Sequence, residues 1–230
     1  MLRLVVFFAS AAAFAWLLGK LPFVGGLFHT GIFGILISAA ILSALTTAVT
    51  ERLISARKLK SELRVQAAVG NAYNHGKIGA LYLARGRPRA AREHLEHAVA
   101  GEPGVAEWHY RLGLALLALR EPVLALESLE RCVAIEEEHA YGAAQMRRAE
   151  CLQKLGRPQE ALAALLTYER NHGPSPEAAY RRGKALRALG KKSAARAAFA
   201  EVGELARRAA RYQRRSASLW ALRAGLARFV

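Results

Sequence analysis

Four short turns recur along the chain at nearly constant spacing, and this regularity restricts the fold more than any other feature of the sequence. The turns are centred on Gly86, Arg120, Gly156 and Gly190, which lie 34, 36 and 34 residues apart. Self-similarity at a period of about 20 to 50 residues is typical of solenoids, in which each unit packs against its neighbours. The spacing therefore predicts a row of stacked units built on one template.

Each unit has the pattern of two helices joined by one of these turns. The glycine, or Arg120 in the second unit, stands where a first helix ends in a left-handed cap. Pro88, Pro122 and Pro158 follow two residues later, at the start of a second helix, where the missing N–H is harmless. Small residues that let helices approach closely are paired with bulky residues that fill the gap. These are Gly79, Gly113, Ala149 and Gly183 with Tyr82, Leu116, Leu152 and Leu186 in the first helices, and Ala91, Ala125, Ala161 and Ala195 with Leu95, Leu129, Leu165 and Phe199 in the second.

This pattern resembles the tetratricopeptide repeat family, abbreviated TPR, over residues 71–204. The resemblance implies an all-α solenoid whose concave face is built from the first helix of each unit. His75, His109, Gln145 and Ala179 depart from the family, which places a large residue near the start of the first helix. The match divides the array into four units, at about residues 72–103, 106–137, 142–173 and 176–204.

The resemblance also implies a groove along the first helices that binds a partner protein. Family geometry assigns three residues to it from each of units two, three and four, namely Tyr110, Leu114, Leu117, Met146, Glu150, Gln153, Tyr180, Lys184 and Arg187. This set is apolar in unit two and basic in unit four, so it suits a partner segment in which hydrophobic residues precede acidic ones. Gly76 and Ala80 stand where chaperone-binding members carry a lysine and an asparagine, which disfavours capture of a chaperone tail.

Residues 1–50 have the composition of a membrane anchor. Apolar stretches at about 2–18 and 27–49 predict two transmembrane helices, with a turn at Pro22 between them. The first stretch also fits a cleaved secretory signal peptide, and the sequence leaves both interpretations open. Small residues spaced four apart in the second stretch predict close helix packing in lipid. The residues predicted to make this contact are Gly34, Ser38, Ala40 and Ala44.

Basic residues follow the second stretch directly, in a predicted helical stem at 51–70. We expect four of these residues at the level of the lipid head groups, namely Arg52, Arg57, Lys58 and Lys60. The loop between the two stretches has only one fixed positive charge, that of Lys20. An excess of basic residues marks the cytoplasmic flank of a membrane helix. We therefore expect a multi-pass protein of the bacterial inner membrane with its repeats on the cytoplasmic side.

The residue types present limit the catalytic and metal-binding chemistry that the chain can carry out. Thirty-four lysines and arginines against eighteen acids give a net charge of +16, and every acid is a glutamate. Without aspartate, a phosphate-binding glycine loop, or CxxC and HExxH motifs, we predict a non-enzymatic protein with no cofactor or metal. His94 and His97 have a spacing that two metal ligands can use, but the glutamates beside them favour a solvated helix face. Cys132 and Cys151 fall at small packing positions and are expected to be buried.

The C-terminal residues 205–230 contain seven arginines and no acid. They predict a basic helix that caps the last repeat or contacts an anionic membrane or an acidic partner. Side chains expected to cover the end of the repeat core are Tyr212, Leu219, Trp220, Leu222 and Leu226.

Two functions fit the sequence. One is a membrane-tethered adaptor or scaffold that binds partner proteins at the cytoplasmic face. The other is an accessory subunit of a larger membrane complex, held mainly through its transmembrane hairpin. A weaker alternative is that the arginine-rich tail binds anionic lipid or nucleic acid, and for nucleic acid the only support is charge.

Overall fold

The computed structural model describes residues 40, 41, 43–54, 57, 61 and 70–227. The chain divides into two compact units, Met1–Val65 and Gln66–Val230. Within the described residues every regular element is a helix, and no strand is present. The all-α prediction is therefore confirmed for this part of the chain.

In the first unit, the described helix comprises residues 40, 41 and 43–54. Apolar side chains spaced four apart are exposed along it, namely Ile41, Leu45, Val49 and Leu53. The hydroxyls of Thr46 and Thr47 both donate hydrogen bonds to the Ser43 carbonyl, and the Thr50 hydroxyl donates to the carbonyls of Thr46 and Thr47.

The predicted membrane hairpin is only partly covered by the described residues. The stretch 2–18 lies outside them, as do Gly34, Ser38, Lys58 and Lys60 among the residues assigned to lipid contacts. Ala40, Ala44, Arg52 and Arg57 are described, and all four are exposed. Among the helices that the structure describes, none combines the length and the apolar character needed to cross a membrane.

The second unit is a row of helices in which four antiparallel pairs are followed by one further helix. The first helices of the pairs are α1 (Ala72–Ala84), α3 (Ala106–Ala118), α5 (His139–Lys154) and α7 (Pro176–Ala188), and the second helices are α2 (Pro88–Gly101), α4 (Pro122–Ile135), α6 (Pro158–His172) and α8 (Lys192–Arg208). The last helix is α9 (Arg214–Ala227).

The turn inside each pair has the left-handed backbone that the spacing predicts. Gly86, Gly156 and Gly190 have φ values of 67°, 71° and 74°, and Arg120 takes the same conformation at 64°. The next residue then donates its N–H back to the first helix, as Arg87 does to the Tyr82 carbonyl at 2.9 Å. This geometry satisfies carbonyls that a helix end would leave without partners.

The small residues of the template lie where the two helices of a pair approach most closely. Gly113 faces the Leu129 side chain across the α3–α4 pair, and Gly79 and Gly183 face Leu95 and Phe199 in the same way. The bulky residues of the second helices, Leu95, Leu129, Leu165 and Phe199, are buried with the alanines that precede them. Close packing of this kind accounts for the recurrence of the template, because a larger side chain would separate the helices.

The row is curved, with the first helices on its inner side. Consecutive first helices contact one another, from α1 to α3, α3 to α5 and α5 to α7, and α9 contacts α7 in the same manner. Within residues 70–227, by contrast, no two second helices come within 8 Å of each other between Cα atoms. A row that is closer packed on one side bends toward that side, and the first helices therefore line a concave face.

The start of α5 departs from regular helix. Ala140, Tyr141 and Gly142 all have positive φ, at 53°, 56° and 73°. Tyr141 is consequently turned into solvent, with 89% of its surface exposed. The imidazole of His139 lies within hydrogen-bonding distance of Glu136 and Glu107, at 2.7 and 2.9 Å, and these contacts link the segment to α3.

The C-terminal helix covers the end of the array, but with different residues from those predicted. Residues 205–208 belong to α8, and α9 packs its buried Ala217 and Ala224 toward α8 and α7. Of the five side chains expected to form the cover, only Trp220 does so, with its ring 5.3 Å from that of Tyr180. The prediction was wrong for the other four, which are exposed because alanines make the closer contact: Tyr212, Leu219, Leu222 and Leu226.

Candidate partner-binding groove

The concave face brings most of the predicted groove residues to the surface. Of the nine, seven are exposed or half-buried: Tyr110, Leu114, Glu150, Gln153, Tyr180, Lys184 and Arg187. Leu117 and Met146 are 9% and 4% exposed and belong to the core instead. Met146 packs with Ala149, Leu165 and Ala178, because the alanine of the following unit leaves room for its long side chain.

One end of the groove, on α1 and α3, is apolar. Leu114 is half-buried on α3, and Leu83 of α1 packs at the edge of the core cluster that contains Leu112 and Leu116. Tyr110 lies edge-on to His139 at 5.5 Å between ring centroids. Burial raises the pKa of the Tyr110 hydroxyl, which therefore stays protonated at neutral pH. This end offers aliphatic and aromatic surface without a fixed charge on these side chains.

The middle of the groove holds an ion-pair network between α5 and α7. Arg181 donates to Glu150 at 2.7 Å and to Glu177 at 2.9 Å, and Arg147 donates to Glu150 at 2.8 Å and also to Glu177. Gln153 Nε2 donates to the Arg181 carbonyl at 2.6 Å. Glu150 and Gln153, which were predicted to contact a partner, thus contact the neighbouring repeat.

Arg147 and Arg181 neutralise the two carboxylates of this network. Burial disfavours the charged form of Glu150, but Arg181 and Arg147 outweigh that effect and lower the pKa of its carboxyl. The two glutamates and two arginines of the network therefore balance in charge, and the Lys154 amine, 3.6 Å from Glu150, adds one positive charge at its edge. The arginines were missed in the sequence, although Arg147 and Glu150 at i, i+3 and Glu177 and Arg181 at i, i+4 have the spacing of helical ion pairs.

The other end of the groove, on α7, carries an uncompensated positive charge. Lys184 is exposed, and within the described residues no carboxylate lies within 4.0 Å of its amine. Partial burial and the neighbouring Arg181 and Arg187 lower the pKa of Lys184. Arg187 itself is held by α9, because it donates to the Ala227 carbonyl at 3.1 Å and lies over the Phe199 ring. Lys184 is thus the cation of this end that is available to an acidic partner.

A second concavity, of about 500 Å³, lies between the second helices α2 and α4. Val99, Leu116 and Leu124 form its apolar lining, and charged side chains including Glu127 and Arg131 stand around it. The family resemblance did not point to it, because the groove that the family implies runs along the first helices.

The histidines of the first helix pair form a cluster between α1 and α2. The Nδ1 atoms of His75 and His94 are 3.1 Å apart, and the His94 ring stacks on Tyr82 at 5.6 Å. Burial, followed by the nearby His75, lowers the pKa of His94. His94 is therefore partly buried and not on a solvated face as expected, whereas His97 is exposed.

The described residues show no arrangement suited to metal chemistry or thiol chemistry. No group of three or more histidine, cysteine or acidic side chains among them is placed to hold a metal ion. Cys132 and Cys151 are both fully buried, and burial raises the pKa of each thiol to about 12. At neutral pH both are protonated and do not act as nucleophiles.

The family model of the tetratricopeptide repeat matches residues 77–140 and 146–204, which together make up more than half of the chain. The chain belongs to the tetratricopeptide repeat family. Its TPR units are the four helix pairs described above, and repeats of this kind stack into extended concave binding surfaces. No curated protein sequence matches the chain.

Several solved TPR structures are similar to this array. The crystal structure of MamA is 23% identical, with a TM-score of 0.59, and the match covers 65% of this chain and 87% of that one. MamA from Desulfovibrio magneticus RS-1 is 19% identical, with a TM-score of 0.54 and coverage of 68% and 94%. YrrB, described as a TPR protein with an unusual peptide-binding site, is 23% identical, with a TM-score of 0.55 and coverage of 68% and 78%. At these identities the likeness shows the fold.

Proposed function

We propose that this protein is a membrane-tethered scaffold whose TPR groove binds a segment of a partner protein, with apolar residues of the segment on α1 and α3 and acidic residues on α7. The observation that carries the proposal is the asymmetry of the concave face. Leu83 and Leu114 give one end an apolar surface, while Lys184 gives the other an exposed charge without a carboxylate partner among the described residues.

The ion-pair network in the middle sets the polarity of the bound segment. Because Arg147 and Arg181 are already paired with Glu150 and Glu177, they do not attract a further carboxylate strongly. On α5 and α7, the attraction for acidic residues is therefore concentrated around Lys184, with Lys154 close to it. The description of YrrB as peptide-binding supports the same use of a TPR groove in this chain.

The tether is proposed from the apolar stretches 2–18 and 27–49 and from the basic residues that follow them. The described part of the second stretch adds one physical argument. A hydroxyl in a bilayer is costly unless it is hydrogen-bonded, and Thr46, Thr47 and Thr50 all donate to carbonyls of their own helix. Together with the exposed side chains of Ile41, Leu45 and Val49, this gives a helix surface suited to lipid.

The groove is tested by site-specific photo-crosslinking of the full chain in cells. A crosslinking amino acid replaces Leu114 or Ala188, which is exposed on α7 one turn after Lys184, and a control replaces Ala134, which is exposed on the second helix α4. We expect the same partner from both groove positions and none from position 134. Mapping the crosslinked peptide gives its chemistry, and a segment without acidic residues near position 184, or capture from α4 alone, contradicts the proposal.

The charge at Lys184 has a matched control of its own. Lys184→Glu reverses the exposed cation of the groove, and Lys192→Glu reverses an exposed lysine at the start of α8. We expect the first change to abolish crosslinking from position 114 and the second to leave it intact. Equal effects of the two would show that net charge, and not the groove, attracts the partner.

The tether and its orientation are tested separately. Fusions at the C-terminus to green fluorescent protein and to alkaline phosphatase report the side of the membrane, and the proposal expects a fluorescent first fusion and an inactive second one. Resistance of the chain to alkaline carbonate extraction shows that it spans the bilayer. A chain released by carbonate would refute the tether without affecting the groove.

The alternative function, an accessory subunit of a membrane complex, is favoured by the small residues of the second apolar stretch. Replacing Gly34, Ser38 and Ala44 by leucine removes the close helix contact that such a subunit would need. Loss of complex assembly with unchanged crosslinking from the groove would favour the subunit function. Unchanged assembly would exclude it.

A further inference from the structure

The exposed face of α9 presents leucines and arginines together. Leu219, Leu222 and Leu226 are spaced three and four residues apart, so they lie on one face of the helix, and they are 59%, 63% and 66% exposed. Arg215 precedes Leu219 by four residues and extends the same face. The opposite face, through Ala217 and Ala224, is the one that packs on the array.

The C-terminal region that carries this face is strongly cationic. Residues 205–230 contain no acid. Among the described residues, no carboxylate lies within 4.0 Å of the arginines of this region, and one of them, Arg223, instead lies over the Trp220 ring at 4.6 Å. These arginines are Arg207, Arg208, Arg211, Arg214, Arg215 and Arg223.

We propose that the exposed face of α9 is a contact site for a membrane surface that contains anionic lipid. A helix that lies in the membrane interface combines leucines that enter the acyl boundary with basic residues that meet anionic head groups, and α9 presents both on one side. Its other side is fixed to α7 and α8, so the helix is already folded before contact and loses little conformational entropy on binding.

Charge favours lipid over a second copy of the chain at this face. Two copies joined through α9 would bring Arg215 and its neighbours against the same arginines, without an acid in residues 205–230 to offset them. An anionic leaflet instead supplies negative charge over the whole face. The proposal rests on the tether only in that a membrane-anchored chain meets lipid at high effective concentration.

The test uses the full chain with a fluorophore on a cysteine introduced as Leu222→Cys. Native Cys132 and Cys151 do not interfere, because both are buried and protonated at neutral pH. The matched probe position is Ala134→Cys, on the exposed side of α4. The labelled chains are reconstituted into vesicles with nitroxide-labelled acyl chains, made either of phosphatidylglycerol and phosphatidylethanolamine or of phosphatidylcholine alone.

We expect quenching at position 222 in the phosphatidylglycerol vesicles, with little in phosphatidylcholine and none at position 134. The double change Arg214→Ser and Arg215→Ser should reduce the fraction of quenched probe about tenfold, since each basic residue near an anionic leaflet adds to binding. Removing two exposed lysines of the same domain, Lys191→Ser and Lys192→Ser, should not. Circular dichroism of each variant controls for folding.

Three results would overturn the proposal. They are equal quenching at positions 222 and 134, no effect of the arginine changes, and a blue shift at position 222 that rises with protein concentration in the absence of lipid, which would indicate a second copy. Carbonate extraction of the same samples reports on the tether independently. A chain that carbonate removes, but whose probe at 222 is quenched before extraction, refutes the tether and supports the lipid contact of α9.

Discussion

Gly79, Gly113 and Gly183 show how single residues determine the spacing of the helix pairs. A Cβ atom on Gly113 would lie 2.7 Å from Cγ of Leu129, and one on Gly79 would lie 2.5 Å from Cγ of Leu95. Both leucines are fully buried. The interior is as dense as an organic crystal, so a single added methyl group must displace a helix.

Gly113→Ala is therefore predicted to destabilise the array, by about 1 to 3 kcal/mol, because of overpacking against Leu129. Gly203→Ala is the matched control, since Gly203 is also helical but a Cβ atom added to it would have no neighbouring atom within 4 Å. There the change should be neutral or stabilising by up to about 1 kcal/mol, because alanine is the better helix former. Urea unfolding of the two variants measures both effects, and a similar loss of stability in the two would contradict the packing explanation.

Replacing Arg120 by glycine is predicted to stabilise the protein. Its φ of 64° is unfavourable for any residue with a Cβ atom, whereas the other three turns use glycine there. Arg120→Gly should raise the free energy of unfolding by about 1 kcal/mol, and Gly86→Arg should lower it by a similar amount. A lower midpoint of thermal unfolding for Arg120→Gly would show that the arginine side chain makes a compensating contact.

Because of His94, the chain is predicted to lose stability on mild acidification. The pKa of His94 in the folded chain is lowered mainly by burial and then by His75, which outweigh the opposing effect of Glu93. Between the unfolded value of about 6.5 and the lower folded value, the unfolded chain binds more protons, so stability falls as the pH drops below about 6.5. Above that pH the residue is neutral in both states. Chemical unfolding at pH 7.5 and 5.5 should show a smaller pH dependence for His94→Gln than for the native chain.

The sequence predicts correctly which side chains are buried where packing allows only one arrangement, and it fails where packing allows several. A small residue facing a large one recurs in every pair, and these positions form the core. Leu117 and Met146 were assigned to the groove by position alone, but whether a flexible side chain turns inward depends on the neighbouring unit. Ala178 of the next repeat decides the case for Met146, and no local pattern contains that information.

At the scale of elements, the contact between α5 and α7 depends on charge as well as on apolar packing. Arg181 is buried and connects Glu150 of α5 with Glu177 of its own helix, while Gln153 holds its carbonyl. The two halves of this network are visible in the sequence as helical ion pairs. The contact that joins the two pairs, between residues 30 apart in the sequence, is not visible there, because it depends on the angle at which consecutive repeats pack.

Arg181→Met is predicted to destabilise the interface between the third and fourth units by about 2 kcal/mol, because it leaves two partly buried carboxylates with one fewer partner. The exposed pair Arg157 and Glu160 is the control, and Arg157→Met should leave stability unchanged. Hydrogen exchange resolved by peptide should place the effect of Arg181→Met in α5 and α7. An equal effect of the two changes would indicate that the network contributes no more than a surface pair.

For the whole molecule, the concave row of first helices ends with α9, which takes the place that a fifth first helix would occupy. It contacts α8 and α7, and its Trp220 lies against Tyr180, which in turn contacts Phe199. An array without such a terminal helix exposes the apolar side of its last unit. The sequence predicts this helix and gives capping as one of its alternative roles, but it does not predict which face is buried, since alanines and leucines both have helical spacing.

A chain that ends at residue 209 is therefore predicted to lose stability by about 3 kcal/mol, through exposure of the surface that α9 covers. Its α7–α8 pair should open first in hydrogen exchange, because neighbouring units are coupled only to one another. The double change Leu219→Ser and Leu222→Ser, on the exposed face of α9, should shift stability by less than about 0.5 kcal/mol. Equal stability of the truncated and full chains would show that α9 is not a cap.

The left-handed segment Ala140–Gly142 has a consequence for engineering of the chain. The turns centred on Arg120 and Gly156 are 36 residues apart, two more than the other intervals, and the helices on both sides still stack in register. The additional length is absorbed at this segment, where Tyr141 points into solvent. Extra residues are tolerated at exposed sites that already interrupt regular structure. Position 141 is therefore a place in the array at which a reporter domain or an affinity tag can be inserted without separating the repeats on either side.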